Sequence, residues 1–264
     1  MNISPRQSKI IAMVDENGAM SIETLSDHFS VTPQTIRRDV NVLCRANMLR
    51  RSHGGVERIG AGVNLPYDTR RLANPAAKRR IGALVASLIP DRASLMFSIG
   101  TTPELVAAAL ADHEDLTVVT NNLNVAMALS ANASNRIFLP GGMVRLPDRD
   151  LLGHAAEEMF SGYRADFGIY GVAGIEPDGV LVDFDQTETL AREAIRKSCR
   201  KSILVADRSK FGRPAPAQRG RLSDADLLVL DGPPEGDFAR LIEAEGIEVL
   251  YPKTKPGVLE GEEE

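Results

Sequence analysis

Apolar positions in the first fifty residues recur every three or four residues and predict three short helices. The first runs from Ser4-Pro5 to Asn17-Gly18, and the second covers residues 21–29. The third opens at Thr32-Pro33, where threonine is a good N-cap and proline a good first helical residue. Its apolar face follows the spacing i, i+4, i+7 and i+8: Ile36, Val40, Leu43 and Cys44.

The opposite side of the third helix is polar, with side chains able to hydrogen-bond base edges and phosphates. A short turn at Ser30-Val31 joins it to the second helix, which is the spacing of a helix-turn-helix. The alternative is a buried helical hairpin with a solvated basic face. The capped, polar-faced helix beside a tight turn favours DNA. The predicted DNA contacts are Thr32, Gln34, Thr35, Arg37, Arg38 and Asn41.

Residues 48–58 read as two short strands around a Gly-Gly hairpin flanked by arginines. This pattern is typical of a wing that rests on phosphates, and it adds Arg50, Arg51 and His53 to the predicted DNA contacts. The sequence therefore predicts a winged helix-turn-helix domain, mainly α-helical, over residues 1–58.

Residues 59–64 have the composition of a short flexible linker, and strand-like and helix-like segments alternate through residues 65–264. A long loop is expected between the strand at 166–172 and the helix at 187–198. The alternation predicts an α/β domain with a mainly parallel sheet, in which ligands bind at the carboxyl ends of the strands. The other predicted strands are 93–99, 116–120, 136–139, 202–206, 225–230 and 247–251, and the other predicted helices 75–89, 103–110, 123–129, 154–160 and 238–245.

Three polar or glycine-rich turns follow predicted strands at this edge: Gly100-Thr101-Thr102, Asn121-Asn122 and Gly141-Gly142. The first opens a helix, so backbone N–H groups, two hydroxyls and a positive helix end could hold a phosphate. Thr102-Pro103 would equally make a plain helix start. The three turns together favour a small anionic ligand.

Charged residues on later loops extend this hypothesis. Asp185 and Glu188 could accept hydrogen bonds from hydroxyl groups, or cap a helix. Lys210 could bind a phosphate, or be an ordinary surface cation. Lys78, Arg79 and Arg80 begin a predicted helix, an unusual place for cations, so they are either solvated or face an anion.

Composition narrows the class of protein. Hydrophobic residues make up 43% of the 264, and no run reaches the ~18 apolar residues of a membrane span. The first residues lack the apolar core of a signal peptide, so we expect a cytoplasmic protein. Two cysteines and four scattered histidines predict neither a metal site nor a disulfide, and no cofactor is expected. The net charge is −5, but residues 1–58 carry eight Lys/Arg against six Asp/Glu, which suits one DNA-binding face.

VTPQTIRRDVNVL followed by RRSHGGV resembles the N-terminal domain of the DeoR family of bacterial transcription regulators. IGTT, VVTNNLNVA, LPGG, DFGIYGVAGI, DGVLVDFD and DRSKFGR resemble the effector domain of the same family. The resemblance implies a fold similar to ribose-phosphate isomerases and CoA transferases. Within the family, TNNLN, FD and SKFGR are most similar to members that respond to glycerol 3-phosphate. Ser98 stands where the family usually has an acid, which leaves the exact ligand open.

We therefore expect a repressor that binds operator DNA as a homo-oligomer and releases it on binding a phosphorylated sugar or polyol, first of all glycerol 3-phosphate. A lone winged helix makes few contacts, so two or more copies are expected on repeated half-sites. The alternative from another class is a sugar-phosphate isomerase or transferase, because a fold does not imply one function. The sequence also leaves open an activator rather than a repressor.

Overall fold

The computed structural model describes residues 4–45, 48–52, 54–58, 62–146 and 148–253. The chain forms two compact units, Met1–Ala73 and Asn74–Glu264. The first unit takes in a short helix, α4 (Tyr67–Leu72), for which the sequence predicted no element. The boundaries 1–58, 59–64 and 65–264 stay a prediction.

The first unit contains the three predicted helices and a three-stranded antiparallel sheet of order β1-β3-β2. Glycine is required at position 55, because a Cβ there would lie 2.1 Å from the Met20 carbonyl oxygen where β1 pairs with β3. The predicted inward residues form one core, with Ile36, Val40 and Leu43 fully buried and Cys44 partly buried. The elements are α1 (Pro5–Asn17), β1 (Met20–Ser21), α2 (Ile22–Phe29), α3 (Pro33–Arg45), β2 (Leu49–Ser52) and β3 (Gly55–Arg58).

The second unit is built around a seven-stranded sheet of order β13-β12-β10-β7-β4-β5-β6, with every neighbouring pair parallel. The predicted α/β domain is thereby confirmed. Its strands are β4 (Ser94–Phe97), β5 (Thr117–Thr120), β6 (Arg136–Phe138), β7 (Ala165–Tyr170), β10 (Cys199–Ala206), β12 (Leu227–Leu230) and β13 (Val249–Leu250). Its helices are α5 (Pro75–Ala86), α6 (Thr101–Ala109), α7 (Leu123–Leu129), α8 (His154–Ser161), α9 (Gln186–Lys197) and α10 (Asp237–Ala244).

Both faces of this sheet are buried, which explains why its strands are almost continuously apolar. Successive side chains of β4 and β10 enter cores on opposite faces, as the two-residue period of a strand requires. Leu95, Phe97 and Ile203 belong to one core, and Met96 and Leu204 to the other. This packing fixes the carboxyl ends of the central strands, where the predicted ligand turns lie.

The prediction of a long loop between β7 and α9 is wrong. It contains β8 (Gly174–Ile175) and β9 (Val180–Asp183), which form a second antiparallel sheet with β11 (Ala217–Arg221), in the order β11-β9-β8. A two-residue strand has no readable periodicity, and β11 joins β9 from more than thirty residues away. Among the described residues, no helix is long and apolar enough to cross a membrane.

Candidate functional sites

Helix α3 presents a polar surface that its packing leaves open. The Thr32 hydroxyl accepts the Thr35 N–H at 3.3 Å, so the predicted cap is present. Of the predicted DNA contacts on this helix, Thr35 and Asn41 are half-buried. The exposed ones are Thr32, Gln34, Arg37 and Arg38.

Asp39, next to the two arginines, faces the opposite way and is buried. Its carboxylate accepts hydrogen bonds from Arg6 Nε at 2.7 Å and from Gln7 Nε2 at 2.9 Å. Gln7 in turn closes the capping box of α1 with Ser4. Asp39 therefore holds α3 against α1. Sequence reasoning missed this residue, although it lies three positions after the inward-facing Ile36.

The wing arginines point to different partners, because neighbouring residues in a strand face opposite sides. Arg50 pairs with Glu57, which lies directly across the hairpin, at 2.7 Å. The Arg51 guanidinium donates to Asn41 Oδ1 of the recognition helix. His53, also predicted to contact DNA, lies outside the described residues.

At the carboxyl edge of the parallel sheet, two of the predicted ligand turns come together. Thr101 and Thr102 open α6 and are nearly buried, at 6% and 4% exposure. Asn122, which follows β5, donates from Nδ2 to the Gly100 carbonyl at 3.3 Å and to the Ser98 carbonyl at 3.4 Å. The asparagine turn thus holds the glycine-threonine turn in place.

Asn121 has unused hydrogen-bonding capacity at the same edge. Its Nδ2 donates to the Leu151 carbonyl at 2.9 Å, while its enclosed Oδ1 has no partner among the described residues. An unsatisfied buried acceptor costs about 1–3 kcal/mol. A donor from a ligand or a water would relieve that cost.

Ser98, which stands where the resemblance implies an acid, has a structural role. Its hydroxyl donates to the Ile99 carbonyl at 3.0 Å and accepts the Gly171 N–H at 3.2 Å. It therefore ties the end of β4 to the end of β7.

Lys210 follows β10 and lies near two buried carboxylates, Asp183 and Asp207. Burial opposes the ionisation of Asp207, but Lys210 and Lys78 hold its pKa below the ordinary value. Asp207 also accepts a hydrogen bond from Asn74 Nδ2 at 3.0 Å. Lys78 is almost fully buried and lies near the Asp207 carboxylate, an anion of the protein itself, while Arg79 and Arg80 are exposed. That these cations face a bound anion stays a prediction.

The two predicted carboxylates near α9 already have protein partners. Asp185 caps α9, accepting the Thr187 N–H at 2.8 Å. Glu188 is buried and accepts a hydrogen bond from Arg145 at 2.7 Å. Arg145 also binds Asp150 through two hydrogen bonds at 2.8 and 2.9 Å, so it links the segment after β6 to α9.

Gly141 and Gly142 follow β6 and are exposed, two strands away from the Gly100 turn. At the usual strand spacing this separation is roughly 10 Å. A cavity of about 630 Å³ lies beside the Lys210 loop, between the start of α5 and the start of α10. Its lining includes Arg80, Asp207 and Ser209, but none of the residues of the three predicted ligand turns and neither Asp185, Glu188 nor Lys210. Within the described part of the chain, no cluster of His, Cys, Asp and Glu could hold a metal ion.

A winged helix-turn-helix with an exposed polar recognition face, carried on the same chain as a parallel α/β domain, defines a DNA-binding regulator. Comparison with known protein families also indicates a DNA-binding regulator. Residues 6–61 match the DeoR-like helix-turn-helix domain, and residues 73–232 match the DeoR C terminal sensor domain. The chain belongs to the DeoR family.

Curated relatives are repressors of this family. The glycerol-3-phosphate regulon repressor of Escherichia coli K12 is 44% identical over 89% of this chain and 93% of its own length. That of Haemophilus influenzae is 44% identical over 89% of this chain and 92% of its own. The E. coli repressor CsqR is 32% identical over 95% of this chain and 96% of its own. The chain is therefore a DNA-binding transcriptional repressor, as predicted.

The isomerase alternative is not supported, since these relatives are repressors and not enzymes. Among solved structures, ribose 5-phosphate isomerase A of Methanocaldococcus jannaschii shares 12% identity, with a TM-score of 0.39 over 53% of this chain and 55% of that one. The Pyrococcus horikoshii translation initiation factor eIF-2B shares 15%, with a TM-score of 0.41 over 83% and 78%.

Proposed function

We propose that this repressor releases its operator when a phosphorylated sugar or polyol binds at the carboxyl edge of the parallel sheet. The observation that carries the proposal is the buried Gly100-Thr101-Thr102 turn at the start of α6, held by Asn122. The first N–H groups of a helix have no partner inside the helix and attract anions.

The chemistry of a phosphate ester fits this turn. Backbone N–H groups and the hydroxyls of Thr101 and Thr102 would donate hydrogen bonds to phosphate oxygens. Lys210 would supply a cation from the loop after β10, and Asn121 a spare acceptor for an effector hydroxyl. The other effector contacts we propose are Gly100, Asn122, Gly141, Gly142, Asp185 and Glu188.

Glycerol 3-phosphate is the first candidate, because two relatives at 44% identity are named for that regulon. Fructose 1-phosphate or another sugar phosphate is second. Ser98 stands where the family usually has an acid, and its hydroxyl is engaged by backbone groups.

Operator binding would use the exposed side of α3 for the bases and the wing for phosphates. We propose that the repressor acts in the cytoplasm as a homo-oligomer, since one winged helix makes few contacts. The effector would bind more tightly to a conformation in which the DNA-binding domains of two copies do not match the spacing of the operator half-sites. Because the two binding equilibria are linked, the effector would then lower operator affinity. The proposed DNA contacts are Thr32, Gln34, Thr35, Arg37, Arg38, Asn41, Arg50, Arg51 and His53.

A thermal-shift panel of phosphorylated three- to six-carbon metabolites tests the effector class. A ligand that binds only the native state stabilises it by about 2.7 kcal/mol at a hundredfold excess over its dissociation constant. Glycerol 3-phosphate should raise the melting temperature, and unphosphorylated glycerol should not. A panel in which phosphorylation makes no difference contradicts the proposal.

Two substitutions test the site itself. Thr101→Val and Lys210→Ala should still bind operator but no longer release it with effector, because the DNA-binding head is unchanged. Lys201→Ala is the matched control, since Lys201 lies near the amino end of the strand that precedes Lys210. If both site variants release DNA at wild-type effector concentrations, the effector binds elsewhere.

A further inference from the structure

Arg145, which follows β6, lies at the centre of a cluster of charged side chains that reaches the first turn of α9. Its guanidinium lies 2.8 Å from the Asp150 carboxylate, 2.7 Å from that of Glu188 and 3.8 Å from that of Asp148. Asp150 receives a second hydrogen bond, from Arg145 Nε at 2.9 Å, and is only 1% exposed. A buried carboxylate therefore fixes the guanidinium, which in turn holds the Glu188 carboxylate.

Backbone contacts connect this cluster to the proposed phosphate turn. The Arg145 N–H donates to the Asp150 carbonyl at 2.8 Å, and Asp150 pairs with Asn122 in a short antiparallel bridge. Asn122 is the residue whose amide donates to the Gly100 carbonyl at 3.3 Å. A continuous series of contacts therefore joins the Gly100 turn to Glu188.

The charges at the two ends of this series suit different parts of a phosphorylated polyol. One guanidinium among three carboxylates leaves the Arg145 cluster with a net negative charge, which repels a phosphate. Its carboxylates can accept hydrogen bonds from hydroxyl groups. The start of α6 at the Gly100 turn attracts anions instead. The phosphate of an effector would therefore bind at the turn and its hydroxyl groups at the cluster.

We infer that Arg145 is a positioning residue, which holds Glu188 for the hydroxyl end of the effector and so selects phosphorylated polyols over phosphate esters that lack hydroxyls. A carboxylate has about four lone-pair sites, so Glu188 can accept a bond from a hydroxyl while it is bonded to Arg145. Stability alone does not account for the cluster, because replacing buried ion pairs by apolar groups is often neutral or stabilising. The inference rests on the proposed function and adds the residue that sets its specificity.

Calorimetric titration of the full chain with two ligands tests the inference. Glycerol 3-phosphate and n-propyl phosphate share three carbons and a phosphate, but only the first has hydroxyl groups, so the wild type should prefer it. Arg145→Lys keeps the charge but loses the planar fork that binds two carboxylates at once. This variant should reduce the preference roughly tenfold, because one hydrogen bond to a charged group is lost, and should leave the affinity for n-propyl phosphate unchanged. Arg149→Lys is the matched control, since Arg149 is exposed and bonds to Asn124.

A double variant shows whether Arg145 acts through Glu188. Glu188→Gln should itself reduce the preference for glycerol 3-phosphate, and Arg145→Lys/Glu188→Gln should reduce it no further, because the two residues act as one unit. An unchanged preference in Arg145→Lys, an equal weakening of both ligands, or additive losses in the double variant would overturn the inference and leave the proposed function standing. A wild type that binds neither ligand would overturn both.

Discussion

Arg38 and Asp39 are neighbours on α3, but their replacement by alanine should affect different properties, operator binding for Arg38 and stability for Asp39. Arg38 is exposed, whereas Asp39 is buried and joined to α1. We predict that Arg38→Ala impairs operator binding with little loss of stability. Asp39→Ala should instead lower the stability of the first unit, Met1–Ala73.

The magnitude for Asp39→Ala follows from its two partners. Gln7 Nε2 would lose an acceptor 2.9 Å away in a buried site, which costs about 1–3 kcal/mol. The ion pair with Arg6 adds no more than about 1 kcal/mol, because the Arg6 side chain is 38% exposed. Alanine has a better helix propensity than aspartate, which offsets roughly 0.5 kcal/mol of the lost stability. A net loss of about 2 kcal/mol remains.

The magnitude for Arg38→Ala appears in binding. A lost base contact costs about 1–3 kcal/mol of binding free energy, which raises the dissociation constant roughly 5- to 150-fold. If Arg38 contacts a phosphate instead, the dependence of affinity on salt should become shallower. An exposed helix position should change stability by less than about 0.5 kcal/mol.

Thermal unfolding by circular dichroism and operator binding by fluorescence anisotropy separate the two effects. For a unit of this size, 2 kcal/mol lowers the melting temperature by about 8–16 °C. Asp27→Ala, at an exposed position of α2, is the control for losing an acid. An Asp39→Ala variant that melts with the wild type would refute the proposed anchoring. An Arg38→Ala variant with wild-type affinity and salt dependence would show that Arg38 does not contact DNA.

Two further predictions concern the wing and acid stability. Arg51→Ala should weaken operator binding more than Arg50→Ala, because the charge of Arg50 is already offset by Glu57, whereas Arg51 donates to the neutral amide of Asn41; equal losses in parallel salt titrations would contradict this. Hydrogen bonds from Arg196 lower the pKa of Glu193 to about 2 from 4.5 in the folded chain. The lowered pKa means that ionised Glu193 stabilises the folded chain above pH 4.5, and that this contribution is lost as pH falls through 2. Glu193→Gln should therefore be less stable than the wild type at neutral pH, and its free energy of unfolding should fall less on acidification. Exposed Glu158→Gln, the control, should follow the wild type.

Periodic features of this molecule could be read from its sequence because they depend on local spacing. Ile36, Val40 and Leu43 are buried because one helical face must pack, whatever the other helices do. The parallel sheet follows in the same way from apolar strands that alternate with helices. These patterns also put the Gly100 and Asn121 turns at one sheet edge.

Polar side chains were harder to place, because their partners are distant in sequence. Nothing local indicates that Asp39 binds Gln7, 32 positions earlier, or that Glu188 binds Arg145, 43 positions away. Asp185 could be recognised as a helix cap because a cap depends on adjacent residues. The antiparallel sheet of β8, β9 and β11 was not predicted for the same reason, because β9 and β11 are distant in sequence.

In the proposed mechanism, a phosphate ester and the operator compete through one conformational equilibrium. The most direct measurement is the operator dissociation constant with and without saturating glycerol 3-phosphate, together with the effector dissociation constant with and without operator. Linkage requires both constants to rise by the same factor, and Thr101→Val and Lys210→Ala should reduce both factors to one. Unequal factors in the wild type, or the same weakening of operator binding by unphosphorylated glycerol, would contradict the account.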